Sequence, residues 1–481
     1  MSAVEVAVVG AGPAGLAAAV TAARAGARVT VVDGARQAGG QYLRRPDVRG
    51  DGPAVRRARA ASHTSRRAER LLAAALVEPR ITWRLGSRVW QAQRTGDSTV
   101  LRLLGTGRHD ADTVDELTAP VVVLATGAHD RVLPFPGWDL PGVVTAGGAQ
   151  ALLKGQGVLV GGRVLVAGTG PFLYAVAAGL AHAGARVAAV VDAADPLRWG
   201  GKLAAAGGVP GKALEGAAYA AALARHRVPL WRRRAVTRVE QRAGGGLRAT
   251  TDAVDADWRV VPGASRTVDV EAVCVGHGFA PSVELALALG CGVRTDPRDR
   301  SVVAQVDGLQ RSSVAGVLVA GEATGIGGSD LSMTEGALAG LEAARQVGHV
   351  PGDGEQMRTR LQQRRLHESR FADAMHAVHA VGQNWTGWLT DDTVLCRCEE
   401  VTVGRARGDI RDLGAEDARS LKLLTRVGMG PCQARMCGWA ATRLLEEETG
   451  HAQEPTGFAA RPLTTPVPLH ALARTQEGIS P

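Results

Sequence analysis

Residues 4–34, VEVAVVGAGPAGLAAAVTAARAGARVTVVDG, contain the strongest structural signal of the sequence. A short valine-rich strand leads into glycines with G-x-G-x-x-G spacing, an alanine-rich helix follows, and a second strand ends at an acidic residue. Such glycines permit a tight turn, close approach of a pyrophosphate and close packing of helix on strand, while the helix N-terminus faces the phosphate charge. The pattern predicts a βαβ unit that binds a dinucleotide, with Asp33 placed to accept hydrogen bonds from a ribose. The predicted contacts here are Gly10, Gly12, Pro13, Ala14, Gly15 and Asp33.

Later segments favour FAD over NAD as the occupant of this unit. They are GGQYLRR (39–45), VVVLATG (121–127) and VLVAGEATGIGGSDLS (317–332). Together they resemble the scattered motifs of flavoproteins with two dinucleotide domains, the glutathione-reductase-like class. In that class an acidic residue at the position of Glu322 meets the ribityl chain, and the next helix points its N-terminus at the isoalloxazine, where the dipole favours negative charge on the reduced ring. The further predicted FAD contacts are Gly40, Gln41, Thr126, Gly127, Gly321 and Glu322.

A second nucleotide-type unit lies at 161–193, GGRVLVAGTGPFLYAVAAGLAHAGARVAAVVDA. It repeats the order of strand, glycine turn, helix and strand, and it ends at Asp192, but Leu173 replaces the third glycine. Two interpretations stay open: a nicotinamide or adenine-nucleotide site, or an inherited fold whose pocket is empty or structural. Asp192 would repel a 2′-phosphate, so NADP is the least expected occupant.

Four of the six cysteines lie near the C-terminus, where Cys396 and Cys398 form C-x-C and Cys432 and Cys437 form C-x4-C. Four thiolates gathered at one point suit an iron-sulfur cluster. Zinc is the alternative, although structural zinc sites usually carry short C-x-x-C-like pairs. Gly428 and Gly430 would let the backbone approach the cluster, and Pro431 is expected to begin a helix that runs to Gly450. The other cysteines, Cys274 and Cys291, sit in apolar runs and are interpreted as buried structural thiols, which disfavours a disulfide reductase.

Bulk properties limit the remaining choices. The length of 481 residues and the apolar content of 45% indicate about three domains with real cores. No run reaches the roughly 18 apolar residues that predict a membrane-spanning helix, and no charged leader precedes the first strand, so we expect neither secretion nor an integral membrane segment. The few cysteines indicate a reducing compartment, the cytoplasm. Basic stretches at 55–70 and 231–234 lack any nucleic-acid motif and are interpreted as a solvated helix face and a strand end, so no nucleic-acid partner is expected.

The cysteine segments CRCEE (396–400) and GMGPCQARMC (428–437) resemble the bacterioferritin-associated-ferredoxin-like [2Fe-2S] domain. Together with GGQYLRR and ATGAHDRVLPFPGWDLPGV (125–143), they resemble the alpha (A) subunit of heteromeric amino-acid dehydrogenases, a family that includes opine oxidases, D-hydroxyproline and proline dehydrogenases, and hydrogen cyanide synthase. The resemblance extends from Val4 to about Arg474. It departs at Ala434, where the family commonly has glycine, and at Asp33, where a glutamate is usual.

The resemblance implies a division of labour between subunits. A beta subunit similar to D-amino-acid oxidase would oxidise an imino acid or N-substituted amino acid, a small ferredoxin-like gamma subunit is a further expected partner, and this chain would conduct electrons through FAD and the cluster. FMN at a subunit interface, or an adenine nucleotide in the second unit, is an additional expected occupant. No catalytic residue is predicted in this chain; His129 and Arg131 are interpreted as a solvated loop pair. Two rival functions remain: a self-sufficient NADH-dependent reductase, and a scaffold subunit with a structural nucleotide.

The expected fold is α/β, a Rossmann-type flavoprotein with two dinucleotide-binding domains followed by a small, mainly helical [2Fe-2S] domain. The FAD domain is predicted at 1–130 and 270–350, with the second nucleotide-type domain inserted at 131–269. A helical connector is predicted at 351–393 and the cluster domain at 394–450. The tail at 451–481 is expected to pack as a strap over a neighbouring surface.

Overall fold

The structure, a computed structural model, describes residues 4–47, 52–60, 65–106, 113–202 and 210–476. The predicted basic stretch at 55–70 covers two helices, and residues 61–64 between them lie outside the described residues.

Among the described residues up to 145 there are nine strands and three helices. They are β1 (Val6–Val9), α1 (Pro13–Arg24), β2 (Val29–Asp33), α2 (Pro53–Ala60), α3 (Arg66–Val77), β3 (Ile81–Leu85), β4 (Ser87–Thr95), β5 (Ser98–Gly105), β6 (Val114–Ala119), β7 (Val121–Leu124), β8 (Ala128–Asp130) and β9 (Val143–Thr145).

The middle of the chain adds a second alternation of helices and strands. It consists of α4 (Ala146–Gln156), β10 (Arg163–Gly168), α5 (Phe172–His182), β11 (Arg186–Asp192), a 3₁₀ turn (Pro196–Arg198), α6 (Trp199–Lys202), α7 (Pro210–Arg225), β12 (Leu230–Arg232), β13 (Arg234–Gln241), β14 (Leu247–Ala253), β15 (Arg266–Val270), β16 (Ala272–Gly276) and β17 (Phe279–Pro281).

The last part is mainly helical. It consists of α8 (Glu284–Ala288), β18 (Val293–Thr295), β19 (Val302–Ala304), β20 (Val317–Val319), a 3₁₀ turn (Gly321–Thr324), α9 (Ser329–Gln346), α10 (Gly354–Val378), a 3₁₀ segment (Gln383–Trp388), β21 (Val394–Cys396), β22 (Val401–Thr402), α11 (Val403–Leu413), α12 (Ala418–Thr425), α13 (Gly438–Thr449) and α14 (Leu469–Gln476).

The first parallel sheet has the strand order β20-β7-β1-β2-β3, with β1 at its centre. Every residue of β1 is buried because both faces of a parallel sheet are covered. Helices α1 and α9 cover one face and approach closely, since a Cβ at Gly336 would lie 2.0 Å from the Ala14 carbonyl oxygen and one at Gly340 2.3 Å from that of Ala18. This contact fixes the N-terminus of α1 at the carboxyl edge of the sheet, where open α/β sheets bind ligands.

The second parallel sheet has the order β12-β11-β10-β16-β9 and contains the repeated unit. Its strand β16 pairs with β10 from Val164–Ala272 to Gly168–Gly276. The chain therefore returns to the first sheet only after Gly276, several residues later than the predicted return at 270. The rest of the predicted domain division stays a prediction.

Short antiparallel pairs join and flank the two parallel sheets. Strands β8 and β17 pair antiparallel where the chain passes between the sheets, with His129 opposite Ala280. Two three-stranded meanders, β4-β5-β6 and β13-β14-β15, extend from the first and second sheet regions. The fold class predicted from the sequence is confirmed by this arrangement and by the comparisons below.

The C-terminal tail runs back along the first sheet region. Thr464 donates through its amide and its hydroxyl to the Trp90 carbonyl, each at 3.0 Å. Ala471 of α14 is buried against Trp90 and Leu104 of the β4-β5-β6 meander. The tail that was predicted to form a strap thus packs over the β4-β5-β6 meander. Within the described part of the chain, no helix combines the length and the apolar character that crossing a bilayer would require.

Candidate functional site

A cavity of about 1640 Å³ lies between the two parallel sheets. It is continuous from the glycine turn after β1 to helices α4 and α7 of the second sheet region. Pockets for drug-sized ligands are roughly 300–1,000 Å³. The cavity is therefore large enough for a dinucleotide and a further ligand group.

The glycine turn fits the phosphates of a dinucleotide. Gly10 has a φ of +105°, and a Cβ there would lie 2.2 Å from the Ala125 carbonyl oxygen. A Cβ at Gly12 would meet only the Gly40 Cα, at 4.0 Å, so the cavity side of Gly12 is open. Helix α1 starts at Pro13 with no side chain capping its first amides. Open amides at a helix N-terminus are suited to a phosphate.

The structure separates the predicted FAD contacts into two groups. Nine of them line the cavity: Gly10, Gly12, Pro13, Asp33, Gly40, Gln41, Thr126, Gly127 and Glu322. The other three pack helices instead. A Cβ at Gly15 would lie 1.8 Å from the Gly10 carbonyl oxygen, and one at Gly321 would lie 2.7 Å from the Cβ of Ala14. Ala14, Gly15 and Gly321 therefore shape the site by allowing close approach, and cofactor contact stays a prediction for all twelve residues.

The two predicted acidic contacts are already hydrogen-bonded to the chain. Asp33 accepts from the amides of Ala11 at 2.6 Å and Ala35 at 2.7 Å, so it also fixes the glycine turn. Glu322 accepts from the Gly328 amide at 2.8 Å, at the N-terminus of α9. Burial raises the pKa of Glu322 to about 7, against the opposing effect of these hydrogen bonds. A carboxylate oxygen has two lone pairs, so both residues keep capacity for a ligand hydroxyl.

The second nucleotide unit is closed at its acidic residue. Asp192 has no exposed surface, accepts from the Tyr174 hydroxyl at 2.5 Å and from the Ala194 amide at 2.9 Å, and is not among the residues that line the cavity. Burial raises its pKa to about 7. Leu173, at the missing third glycine, is 1% exposed and packs in the core. Asp192 is therefore unavailable to a ribose while Tyr174 covers it.

Strand β8 lies in the wall of the cavity between the sheets, and its three residues are partly buried. The side chain of Arg131 is 3% exposed and pairs with Asp299 at 2.5 Å. Asp130 accepts from the Gly147 and Gly148 amides at the start of α4, and burial raises its pKa. His129 lines the cavity, and burial lowers its pKa to about 4. The prediction of a solvated loop pair at His129 and Arg131 is thus wrong, because the C-terminal region covers this strand.

The four C-terminal cysteines come together as two pairs. The thiols of Cys396 and Cys437 are hydrogen-bonded to each other, as are those of Cys398 and Cys432. The first pair is buried and the second is half-buried. Among the described residues no three metal-binding side chains converge on a point where a single ion could sit. Two pairs of thiols are the donor set of a [2Fe-2S] cluster, in which each iron takes two cysteines.

Backbone groups around the cysteines support that donor set. The Gly428 amide donates to the Cys396 Sγ at 3.5 Å. The pKa of Cys396 is lowered to about 6, first by its hydrogen bond from Cys437 and then by the Gly428, Glu399 and Cys398 amides. A Cβ at Gly430 would lie 2.2 Å from the Cβ of Cys398, so the chain can pass there only as glycine.

The helix after the cysteines begins later than expected, and Ala434 has a left-handed backbone conformation. The helix does not start at Pro431: residues 431–437 form turns, and α13 runs from Gly438 to Thr449 with Gly450 as a left-handed cap. Turns rather than a helix let Cys432 and Cys437 point at the same place. Ala434 has a φ of +62°, which favours glycine and explains why a glycine is common at this position.

The cysteine loop packs directly on strand β8. The His129 ring interacts with the Arg435 backbone, and this contact opposes the lowering of the His129 pKa by burial. The Arg435 side chain pairs with Glu284 at 2.8 Å. Trp439 lies under the Arg131 guanidinium, 5.0 Å from the ring centroid. One imidazole therefore separates the cavity from the segment between Cys432 and Cys437.

Comparisons with known proteins agree with this geometry. A family model described as pyridine nucleotide-disulphide oxidoreductase matches residues 4–348. The chain belongs to this family. A second family model, the BFD-like [2Fe-2S] binding domain, matches residues 394–447. The two matches confirm the predictions of FAD and a [2Fe-2S] cluster, and the second decides against zinc.

Two curated relatives are similar over nearly the whole chain. The A subunit of opine oxidase from Agrobacterium tumefaciens is 30% identical over 97% of this chain and 90% of its own length. The HcnB subunit of hydrogen cyanide synthase from Pseudomonas aeruginosa is 35% identical over 92% of this chain and 93% of its own. The L-proline dehydrogenase structure from P. horikoshii, at 20% identity, covers 98% of this chain and 80% of its own with a TM-score of 0.66, and it supports the fold. The resemblance to alpha subunits of heteromeric amino-acid dehydrogenases is confirmed.

Sequence motifs did not identify the residues that connect or close these sites. The Tyr174 hydroxyl covers Asp192, and the His129 ring contacts the Arg435 backbone. Each contact joins groups from segments that are distant in the sequence or differ in secondary structure. The position of His129 directly after the Thr126–Gly127 turn was the one local signal, since that turn was already expected at the cofactor.

We expect Gly430→Ala to lose the cluster, because its Cβ would overlap the Cys398 Cβ. Iron and acid-labile sulfide per chain should fall to a small fraction of the wild-type content, with FAD content unchanged. Gly408→Ala is the matched control, since its Cβ in α11 would meet only Asp412 at 3.9 Å. Full iron content in Gly430→Ala would contradict the pairing of Cys398 and Cys432 described above.

We expect Asp192→Asn to flatten the pH dependence of stability. The folded-state pKa of Asp192, about 7, lies above its ordinary value of 3.8, so the folded chain holds the proton more tightly and loses stability as pH rises between about 4 and 7. Asparagine cannot ionise and should therefore gain about 1 kcal/mol or more relative to wild type on going from pH 5 to pH 8. Urea unfolding at both pH values measures this, with Asp115→Asn at an exposed ion pair as the control. An equal pH slope in wild type and Asp192→Asn would contradict it.

Proposed function

We propose that this chain is the FAD- and [2Fe-2S]-containing alpha subunit of a heteromeric dehydrogenase of amino or imino acids. Its oxidoreductase class and its similarity to HcnB and to the opine oxidase relative support this function. The proposed substrate class is an imino acid or N-substituted amino acid, oxidised at carbon and nitrogen on an amine-oxidising beta subunit. The small number of cysteines further supports a reducing compartment, the cytoplasm.

One observation supports the proposal: the cysteine region lies against a residue that lines the cofactor cavity. His129 lines the cavity, and its ring interacts with the Arg435 backbone between Cys432 and Cys437. Four thiols scattered through the fold, or lying far from the cavity, would leave only a generic flavoprotein. A cluster held by these cysteines would instead lie behind the cavity wall, which favours transfer of single electrons.

The chemistry of the two cofactors explains why one chain would hold both. When bound, FAD takes up a pair of electrons and can release them singly, and a [2Fe-2S] cluster carries one at a time. The chain's own residues supply the rest. The α1 turn and Asp33 would bind FAD, the N-terminus of α9 would face the ring, and the four thiols would hold the irons. The neutral His129 and the buried Arg131–Asp299 pair exclude water from the wall between them.

The rival NADH-dependent reductase is less well supported, because its nucleotide would need Asp192. That carboxylate is covered by Tyr174 and lies outside the cavity lining. An adenine nucleotide or FMN elsewhere in the cavity stays compatible with its volume. We propose two partners for this chain: a beta subunit similar to D-amino-acid oxidase, together with a small ferredoxin-like gamma subunit.

The function is tested by isolating the tagged chain with its native partners under nitrogen. We expect flavin, iron and sulfide in the complex, reduction of a dye by amino or imino acids, and no bleaching of the flavin of the isolated chain by NADH. Cys432→Ser should lose iron and most turnover with a one-electron acceptor. Intact turnover in Cys432→Ser would favour the scaffold function. Rapid bleaching of the flavin by NADH would favour the NADH-dependent reductase. Zinc in place of iron would refute the proposal.

We expect His129→Leu to slow electron transfer while both cofactors are retained. The variant removes the contact of the imidazole with the Arg435 backbone, and an increase of about 1.4 kcal/mol in the barrier corresponds to roughly a tenfold lower rate. The rate of dye reduction by the complex and the reduction potential of the iron site, from a redox titration followed by electron paramagnetic resonance, should both change. Arg300→Gln is the control, since the Arg300–Glu446 pair at 2.8 Å joins the same two regions but is half-exposed at the arginine. Equal changes in His129→Leu and Arg300→Gln would mean that His129 only helps the cysteine region to pack on the rest of the chain.

A further inference from the structure

Lys154 is a buried cation without a partner among the residues that the structure describes. It lies on α4, is 5% exposed and lines the cavity together with Gln150 of the preceding turn. Within the described residues it makes no hydrogen bond or ion pair. Lysines are almost never fully buried unless paired, so an unpaired one requires an explanation.

A second cation, Arg44, lies near Lys154 and lowers its pKa. The Arg44 Nη1 nitrogen lies 3.5 Å from the Cβ position of Gly155, next to Lys154 in α4, and the Asp47 Oδ2 oxygen lies 3.7 Å from the same position. Arg44 donates to the Gln41 side chain at 2.6 Å, but its Nε is buried without a partner among the described residues. The pKa of Lys154 is lowered to about 8, first by burial and then by repulsion from Arg44. Two cations thus face one end of the cavity, and neither forms an ion pair within the part of the chain that the structure describes.

The other described lysine of the cavity shows the contrast. Lys212 of α7 pairs with Glu215 at 2.9 Å and with Asp330 at 3.3 Å. Although burial opposes it, these carboxylates raise the pKa of Lys212. The chain therefore neutralises one cavity lysine internally and leaves the other for a ligand.

We propose that Lys154 and Arg44 form an oxyanion subsite at the α4 end of the cavity, which takes a phosphoryl group or a carboxylate of a bound molecule. An oxyanion between two cations relieves their repulsion, and it gains charge-assisted hydrogen bonds in a region of low dielectric. The subsite is distinct from the glycine turn after β1, which belongs to the first sheet. It is also distinct from the N-terminus of α4, where Asp130 already accepts from the Gly147 and Gly148 amides. The subsite goes beyond the proposed function and does not depend on electron transfer.

Calorimetric titration of the FAD-loaded full chain tests the subsite, because FAD then fills the glycine turn. The probes are sodium phosphate and, separately, sodium acetate, which distinguish a phosphoryl from a carboxylate preference. We expect saturable binding of one probe with a dissociation constant on the order of 1 mM, and at least about tenfold weaker binding to Lys154→Met. Lys154→Arg should restore binding, and Lys212→Met is the control that should bind as wild type does.

Stability without added anion separates a ligand site from a structural role. Methionine has a volume close to that of lysine and carries no charge, so Lys154→Met should unfold at the same or a higher urea concentration than wild type. Phosphate or acetate should stabilise wild type and not Lys154→Met. The proposal is wrong if neither probe saturates wild type, if Lys154→Met binds as well as wild type, or if Lys154→Met is the less stable protein. None of these outcomes bears on the redox assays of the complex.

Discussion

The contact between strand β8 and the cysteine loop is the constraint on which the rest of the structure depends. Strand β8 belongs to the passage between the two parallel sheets, so whatever rests on it also fixes the wall of the cavity. The cysteine region rests on this passage through the contact of the His129 ring with the Arg435 backbone and the contact of Arg131 with Trp439, and it rests on α8 through the Arg435–Glu284 pair. Arg131 is buried and the other groups are partly buried, so removing one partner would weaken the packing between the two regions. These contacts join the regions that contain the two proposed cofactor sites.

Helix N-termini around the cavity are used selectively. At α4 the Thr145 side chain accepts from the Gly148 amide, and just before α9 Glu322 accepts from the Gly328 amide. At α1 no side chain of the described residues caps the first amides. An uncapped N-terminus suits an anion, which agrees with the proposed phosphate site at α1.

Local patterns in the sequence predicted what depends on local geometry. The βαβ unit at 4–34, the duplicated unit, the start of α9 at Ser329 and the four cysteines all follow from spacing, because glycines at tight turns and thiols at a cluster leave few alternatives. The failures have a common physical cause. The burial of His129 and Arg131 and the closure of Asp192 by Tyr174 arise from contacts between distant or differently folded segments, and no periodicity encodes them. Likewise, Lys154 has an ordinary helical context in the sequence, and only the tertiary structure reveals that it is unpaired.

The tail links the cysteine region to the first sheet at more than one point. Arg461 donates to the Gly428 carbonyl at 2.8 Å, Arg435 donates to the Thr464 carbonyl at 2.7 Å, and α14 is anchored on Trp90. A domain held in this way cannot move between distant sites to carry electrons from one to another. Whatever collects the electrons must therefore dock on this fixed domain.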